Sequence, residues 1–154
     1  DVTPDTELLS SALERILRLS PKRSQAWYIL ANLALDRANA YPAKSKERLA
    51  GYAAAQDILA RYVALVPHLS QPHFVLAQLL FASGDTVAAA EEAEKGRETY
   101  REDLDTAKRA VVYYETVFDL PNAAFFLSEI VRLDPSNEAA RSDLETIRAH
   151  EQSQ

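Results

Sequence analysis

Three segments of the chain end alike, in a run of apolar residues followed by proline: Ile16-Leu17-Arg18-Leu19-Ser20-Pro21, Tyr62-Val63-Ala64-Leu65-Val66-Pro67 and Ile130-Val131-Arg132-Leu133-Asp134-Pro135. Their prolines form a ruler. Pro67 and Pro135 are 68 residues apart, twice thirty-four, and Pro21 and Pro67 are 46 apart, thirty-four plus twelve. Proline cannot continue a helix, so each of the three marks a helix end. A repeat of this length implies stacked helical units, since one unit cannot bury its apolar face alone. With three glycines and seven prolines in 154 residues, most of the chain must be regular structure, and its Ala, Leu, Glu and Arg favour helix over strand.

The composition is that of a globular domain, 47% hydrophobic and 26% charged, rather than of a disordered chain. There is no cysteine, which excludes disulfides, thiolate nucleophiles and zinc-thiolate sites together. The net charge of -6 argues against nucleic acid as a partner. That charge is uneven: residues 1–50 hold eight basic and six acidic side chains, and residues 51–154 hold nine and seventeen. No apolar run approaches the ~20 residues that span a bilayer, so no direct membrane insertion is expected.

Within the period, a second pattern places an aromatic, then leucine three residues on, then a small residue, early in each unit. Trp27, Leu30 and Ala31 fit it. One unit on stand His73, Leu76 and Ala77, followed by a Gly84-Asp85 turn and the small series Ala89, Ala93 and Gly96. A third unit carries Ala107, Ala110 and Val111, a turn at Asp119-Leu120-Pro121-Asn122, and then Ala123, Leu127 and Ile130. On these residues the chain resembles the tetratricopeptide repeat (TPR) family. The resemblance implies an all-α fold, a TPR-type α-solenoid in which antiparallel helix pairs coil into a right-handed superhelix.

The expected organisation is a single TPR domain over residues 1–154. It comprises a partial unit as one helix over 6–19, a first pair over 23–66, a second over 70–99, a third over 103–133 and a closing helix over 137–149. The first pair carries twelve extra residues between Asn39 and Ala50. Pro42 should end its first helix, and Ser45 has the side chain to cap an early start of the second.

No constellation for catalysis is present. His68 and His73 are five residues apart, a spacing that does not align them on one helix face, and no acidic partner follows in sequence. Gly51, Gly84 and Gly96 are too scattered to cradle a phosphate. Glu91, Glu92 and Glu94 diverge around a helix and are expected on a solvated face. The Val111-Val112-Tyr113-Tyr114 and Phe125-Phe126 clusters are expected as packing between helices. No enzyme activity, metal or cofactor is expected.

The TPR resemblance further implies a concave groove lined by the first helix of each pair. Carried onto this sequence, it presents Gln25, Tyr28, Asn32 and Leu35, then Gln71, Phe74, Gln78 and Phe81, then Lys108 and Val112, with Asp105 and Glu115 beside them. Apolar anchors among amides suit a peptide ligand, since Asn and Gln bond a peptide backbone. The family's clamp of Lys, Asn and Arg around a terminal carboxylate is mostly missing: Asn32 and Arg109 match it, but Tyr28 and Asp105 stand where lysines are needed.

The implied function is a protein-protein interaction scaffold that binds a protein or peptide through this groove. The alternatives are self-association into a homo-oligomer through the helix ending at Leu19 or the closing helix, and an accessory role. The accessory role follows from a narrower resemblance, of residues 13–28, to the soluble TPR tail of bacterial membrane proteins of the O-antigen ligase and polymerase class. It implies tethering to a membrane protein; the localisation is otherwise open, with the cytoplasm favoured.

Overall fold

The computed structural model describes residues 4–154, and these form eight α-helices: α1 (Pro4–Leu19), α2 (Ser24–Asn39), α3 (Lys46–Leu65), α4 (Ser70–Ala82), α5 (Thr86–Thr99), α6 (Leu104–Thr116), α7 (Leu120–Leu133) and α8 (Glu138–Gln152). No strand occurs among the described residues. Side chains supply the caps that helix starts require. Ser45, Asp103, Asp119 and Asn137 each accept a hydrogen bond from the backbone N–H three residues on. Because Ser45 caps α3, that helix starts well before Gly51, and the extra residues of the first pair are partly absorbed as helix.

The proline ruler has a structural counterpart. Just before Pro21, Pro67 and Pro135, the backbone N–H groups of Ser20, Val66 and Asp134 donate to the carbonyls of Ile16, Tyr62 and Ile130 at 2.7, 3.1 and 2.7 Å. Each closes a last helical turn in the same way.

The period also governs the turns inside the pairs. Between α4 and α5, Gly84 takes φ 94°, its N–H donates to Phe81, and the N–H of Asp85 donates to Leu80. Between α6 and α7, Phe118 takes φ 58°, its N–H donates to Glu115, and the N–H of Asp119 donates to Tyr114. The Asp85 and Asp119 side chains then accept from the N–H groups of Ala88 and Asn122. Every residue of the second turn lies thirty-four beyond its counterpart. The second turn has no glycine, so Phe118 holds a left-handed conformation that glycine adopts at no steric cost.

The residues pack into two compact units. The first holds the described residues up to His68 together with Gln78–Ala89, and the second holds Leu69–Ala77 together with Ala90–Gln154. In the first, Leu13 and Leu17 of α1, Trp27 and Leu30 of α2, Tyr62 of α3 and the following Val66 form one buried cluster. Trp27 and Tyr62 stack with centroids 5.7 Å apart, and Tyr28 meets Tyr62 edge-on at 5.8 Å. The Trp27 indole N–H donates to the Pro21 carbonyl at 2.6 Å, tying the first proline turn to α2. Gly51 lets α3 approach α2, since a methyl group there would overlap Ala38.

The core of the second unit is aromatic. Phe74 of α4, Tyr114 of α6 and Phe126 of α7 pack mutually, with centroids 5.5–5.8 Å apart. Phe74 meets the other two rings edge-on while Tyr114 and Phe126 stack, and the area of such clusters makes them dominant contributors to a core. Ala123, Phe126, Leu127 and Ile130 give α7 one buried face, and Ala140, Leu144 and Ile147 give one to α8.

Candidate interaction surfaces

On α2, the residues expected in the groove recur at spacings of three, four and three, which places them along one helix face. Gln25 and Asn32 are exposed, and Tyr28 and Leu35 are half-buried. On the other side of the same helix Ala26, Trp27, Leu30 and Ala31 are buried. Gln78 and Phe81, also in the first unit, are half-buried. In the second unit Gln71 is half-buried, and Lys108 and Val112 of α6 are exposed, Val112 by 50%. Asp105 and Glu115 on α6 are exposed as well.

Phe74 is the exception and corrects the sequence expectation. It is fully buried, its ring lies against Gly96, and Tyr114 and Phe126 meet it edge-on. The small residue at Gly96 opens a hole that a ring at position 74 fills, so Phe74 is a core residue and offers no surface to a ligand.

Polar contacts also depart from the expectation for the acidic run. Glu92 is not solvated: the buried His73 donates from Nδ1 to its Oε2 at 2.8 Å, and Lys95 donates to its Oε1 at 2.9 Å. Burial alone would raise the Glu92 carboxyl, but the hydrogen bonds from His73 and Lys95 outweigh it and hold the group below the usual carboxylate range. Next to this pair, the Ser70 hydroxyl donates to the Gly96 carbonyl at 2.5 Å. The sequence did hold a signal for the partner of His73. Glu92 lies three residues after Ala89 and four before Gly96, and so on the small-residue face of α5. The other acids of the run are exposed, with Glu94 paired to Arg97.

Of the two aromatic clusters, Val111, Tyr113, Tyr114 and Phe126 are buried, whereas Phe125 is half exposed. His68 is exposed in the turn before α4. No group of three or more His, Cys, Asp or Glu among the described residues is placed to hold a metal ion, and no helix among them is long and apolar enough to cross a membrane.

A feature the sequence did not disclose is a bay of about 900 Å3 in the first unit, bounded by α1, α2 and α3. Trp27, Leu30, Leu33 and Ile58 line it, with Arg18, Arg37 and Arg61 around them. On α2 this bay lies opposite the Gln25–Leu35 face, because successive residues turn by about 100° around a helix.

No family model and no curated protein sequence matches the chain. Solved structures do. Two crystal structures of MamA superpose with a TM-score of 0.59 at 13% identity, covering 92% and 93% of this chain and 76% and 72% of theirs. The first TPR of Spaghetti (RPAP3) bound to HSP90 peptide SRMEEVD superposes with a TM-score of 0.52 at 17% identity, covering 78% of this chain and 94% of that one. At such identities the likeness concerns the fold and not the ligand. The chain is all-α and has a fold of the tetratricopeptide type.

Proposed function

We propose that the chain is a protein- or peptide-binding module without catalytic activity, and that it recognises its ligand through the outward face of α2. One observation carries this reading: on α2, the exposed Gln25 and Asn32 and the half-buried Leu35 lie along one face, with Tyr28 between them packed edge-on against Tyr62. Amide side chains beside an aromatic and an aliphatic suit an extended peptide, whose backbone offers donors and acceptors at every residue. Gln78 and Phe81 repeat that chemistry on α4, and Lys108 and Val112 offer a cation and an apolar contact on α6. Gln71 adds a further amide; Phe74 is left out, being buried. The RPAP3 domain of similar fold has a peptide bound, which supports this class of ligand.

The test is selection of peptides from a display library on the whole chain, followed by fluorescence anisotropy of a selected peptide against wild type and Gln25→Ala/Asn32→Ala. Loss of the two amides should weaken binding by about tenfold, the equivalent of roughly 1.4 kcal/mol, with an unchanged circular dichroism spectrum. Equal affinity in the variant would remove this face as the site.

A further inference from the structure

The bay between α1, α2 and α3 holds more positive charge than its apolar floor needs. Three arginines stand around it against one carboxylate, Glu14. The Arg61 guanidinium carbon lies 5.4 Å from the Trp27 ring centroid, marking one end of the bay. Arg37 marks the other, ten residues further along α2 and so about 15 Å away. Its Nε is buried and has no hydrogen-bond partner among the described residues. A buried donor without an acceptor is costly, and the Arg37 side chain is one of those that line the bay.

A second oddity lies in the other unit. Phe118 is 86% exposed at the α6–α7 turn and holds φ 58°. A bulky residue in the left-handed region is strained, and residues held in such conformations are enriched at ligand-binding and switch regions. The equivalent turn one period earlier meets the same need with Gly84. Beside Phe118 in sequence are the exposed Glu115 and the half-buried Asp119. Burial, and then the like charge of Asp143, raise the Glu115 carboxyl, so a cation arriving there would relieve a repulsion.

We propose that Phe118 of one copy inserts into the Trp27 bay of a second copy, with Glu115 facing the arginines of that bay, so that the chain associates head to tail. The ring meets an apolar floor and the acidic turn meets a basic rim. The sign of the contact follows the division of charge along the sequence, with residues 1–50 net basic and residues 51–154 strongly acidic. Because the two surfaces differ, the contact is heterologous, and a dimer still offers one unused bay on one copy and one unused Phe118 on the other.

Two variants and their mixture test this by sedimentation velocity, over a concentration series up to about 1 mM. Wild type is expected to sediment faster as concentration rises, and less so when salt is raised from ~0.1 M to ~1 M, where charges are screened within ~3 Å. Phe118→Ala lacks the inserting ring, and Arg18→Glu/Arg61→Glu, altered at two exposed positions, lacks the basic rim. Each alone should stay monomeric. Their equimolar mixture should form a dimer and nothing larger, which also shows that both variants are folded. Wild type that stays monomeric, a mixture that does not dimerise, or association that survives Phe118→Ala each overturns the proposal. None of these outcomes bears on the Gln25–Leu35 face, which neither variant alters.

Discussion

The side chain that Gly96 lacks is replaced by the ring of Phe74: a Cβ built on Gly96 would come within 2.8 Å of that ring. The two residues form one packing unit, and Gly96→Ala should destabilise the fold by about 1–3 kcal/mol through overpacking. Phe74→Ala should cost about 3–5 kcal/mol through the cavity it leaves. In the Phe74→Ala background the added methyl has room, so the Gly96→Ala cost should shrink or vanish. Urea unfolding of the two single variants and the double variant measures this coupling.

The Glu92 carboxyl, held low by His73 and Lys95, links stability to acid. A carboxylate whose folded value is depressed contributes stability above its unfolded value, near 4.5, and that contribution is lost as pH falls through the lower folded value. Glu92→Gln should therefore be less stable than wild type at neutral pH, and the gap should narrow as pH drops below about 4.5. Thermal melts of both proteins across the acid range check the slope.

Phe118→Gly removes the steric cost of a left-handed bulky residue, about 1–2 kcal/mol, and adds the flexibility cost of glycine, about 0.5–1 kcal/mol. The substitution should leave the fold as stable or raise its stability by up to ~1.5 kcal/mol, read from the urea midpoint. A loss greater than that would mean the ring contributes to the packing of its own chain.

The Ser45 hydroxyl accepts the Arg48 N–H at 3.2 Å and so starts α3 at Lys46. Ser45→Ala should cost about 0.5–2 kcal/mol, and hydrogen exchange should speed up at the first turns of α3 without changing at its Leu59 and Tyr62 end.

The helical architecture was legible because its signals are local. Pro21, Pro67 and Pro135 end helices by their own chemistry, and Ser45 announces a cap by its hydroxyl. Surfaces were less legible, because exposure depends on what lies across from a residue. Phe74 follows the same three-four spacing as Gln71, Gln78 and Phe81, and only the hole at Gly96, on another helix, turns it inward. The arginine bay was hidden for the same reason: Arg18, Arg37 and Arg61 come from three helices, and nothing in the sequence near any one of them points to the others. The conformation of Phe118 could be recovered from the period, which aligns it with Gly84, although phenylalanine is a residue type that rarely adopts it.

The function rests on whether the Gln25–Leu35 face of α2 meets the ligand. Nuclear magnetic resonance titration of the isotope-labelled chain with a peptide selected on it reads that face directly. Saturable shifts of the Gln25 and Asn32 side-chain amides and of the Tyr28 ring, with the Trp27 indole N–H unmoved, are expected. Shifts that avoid those three residues, or that gather instead around Arg37 and Arg61, would contradict it.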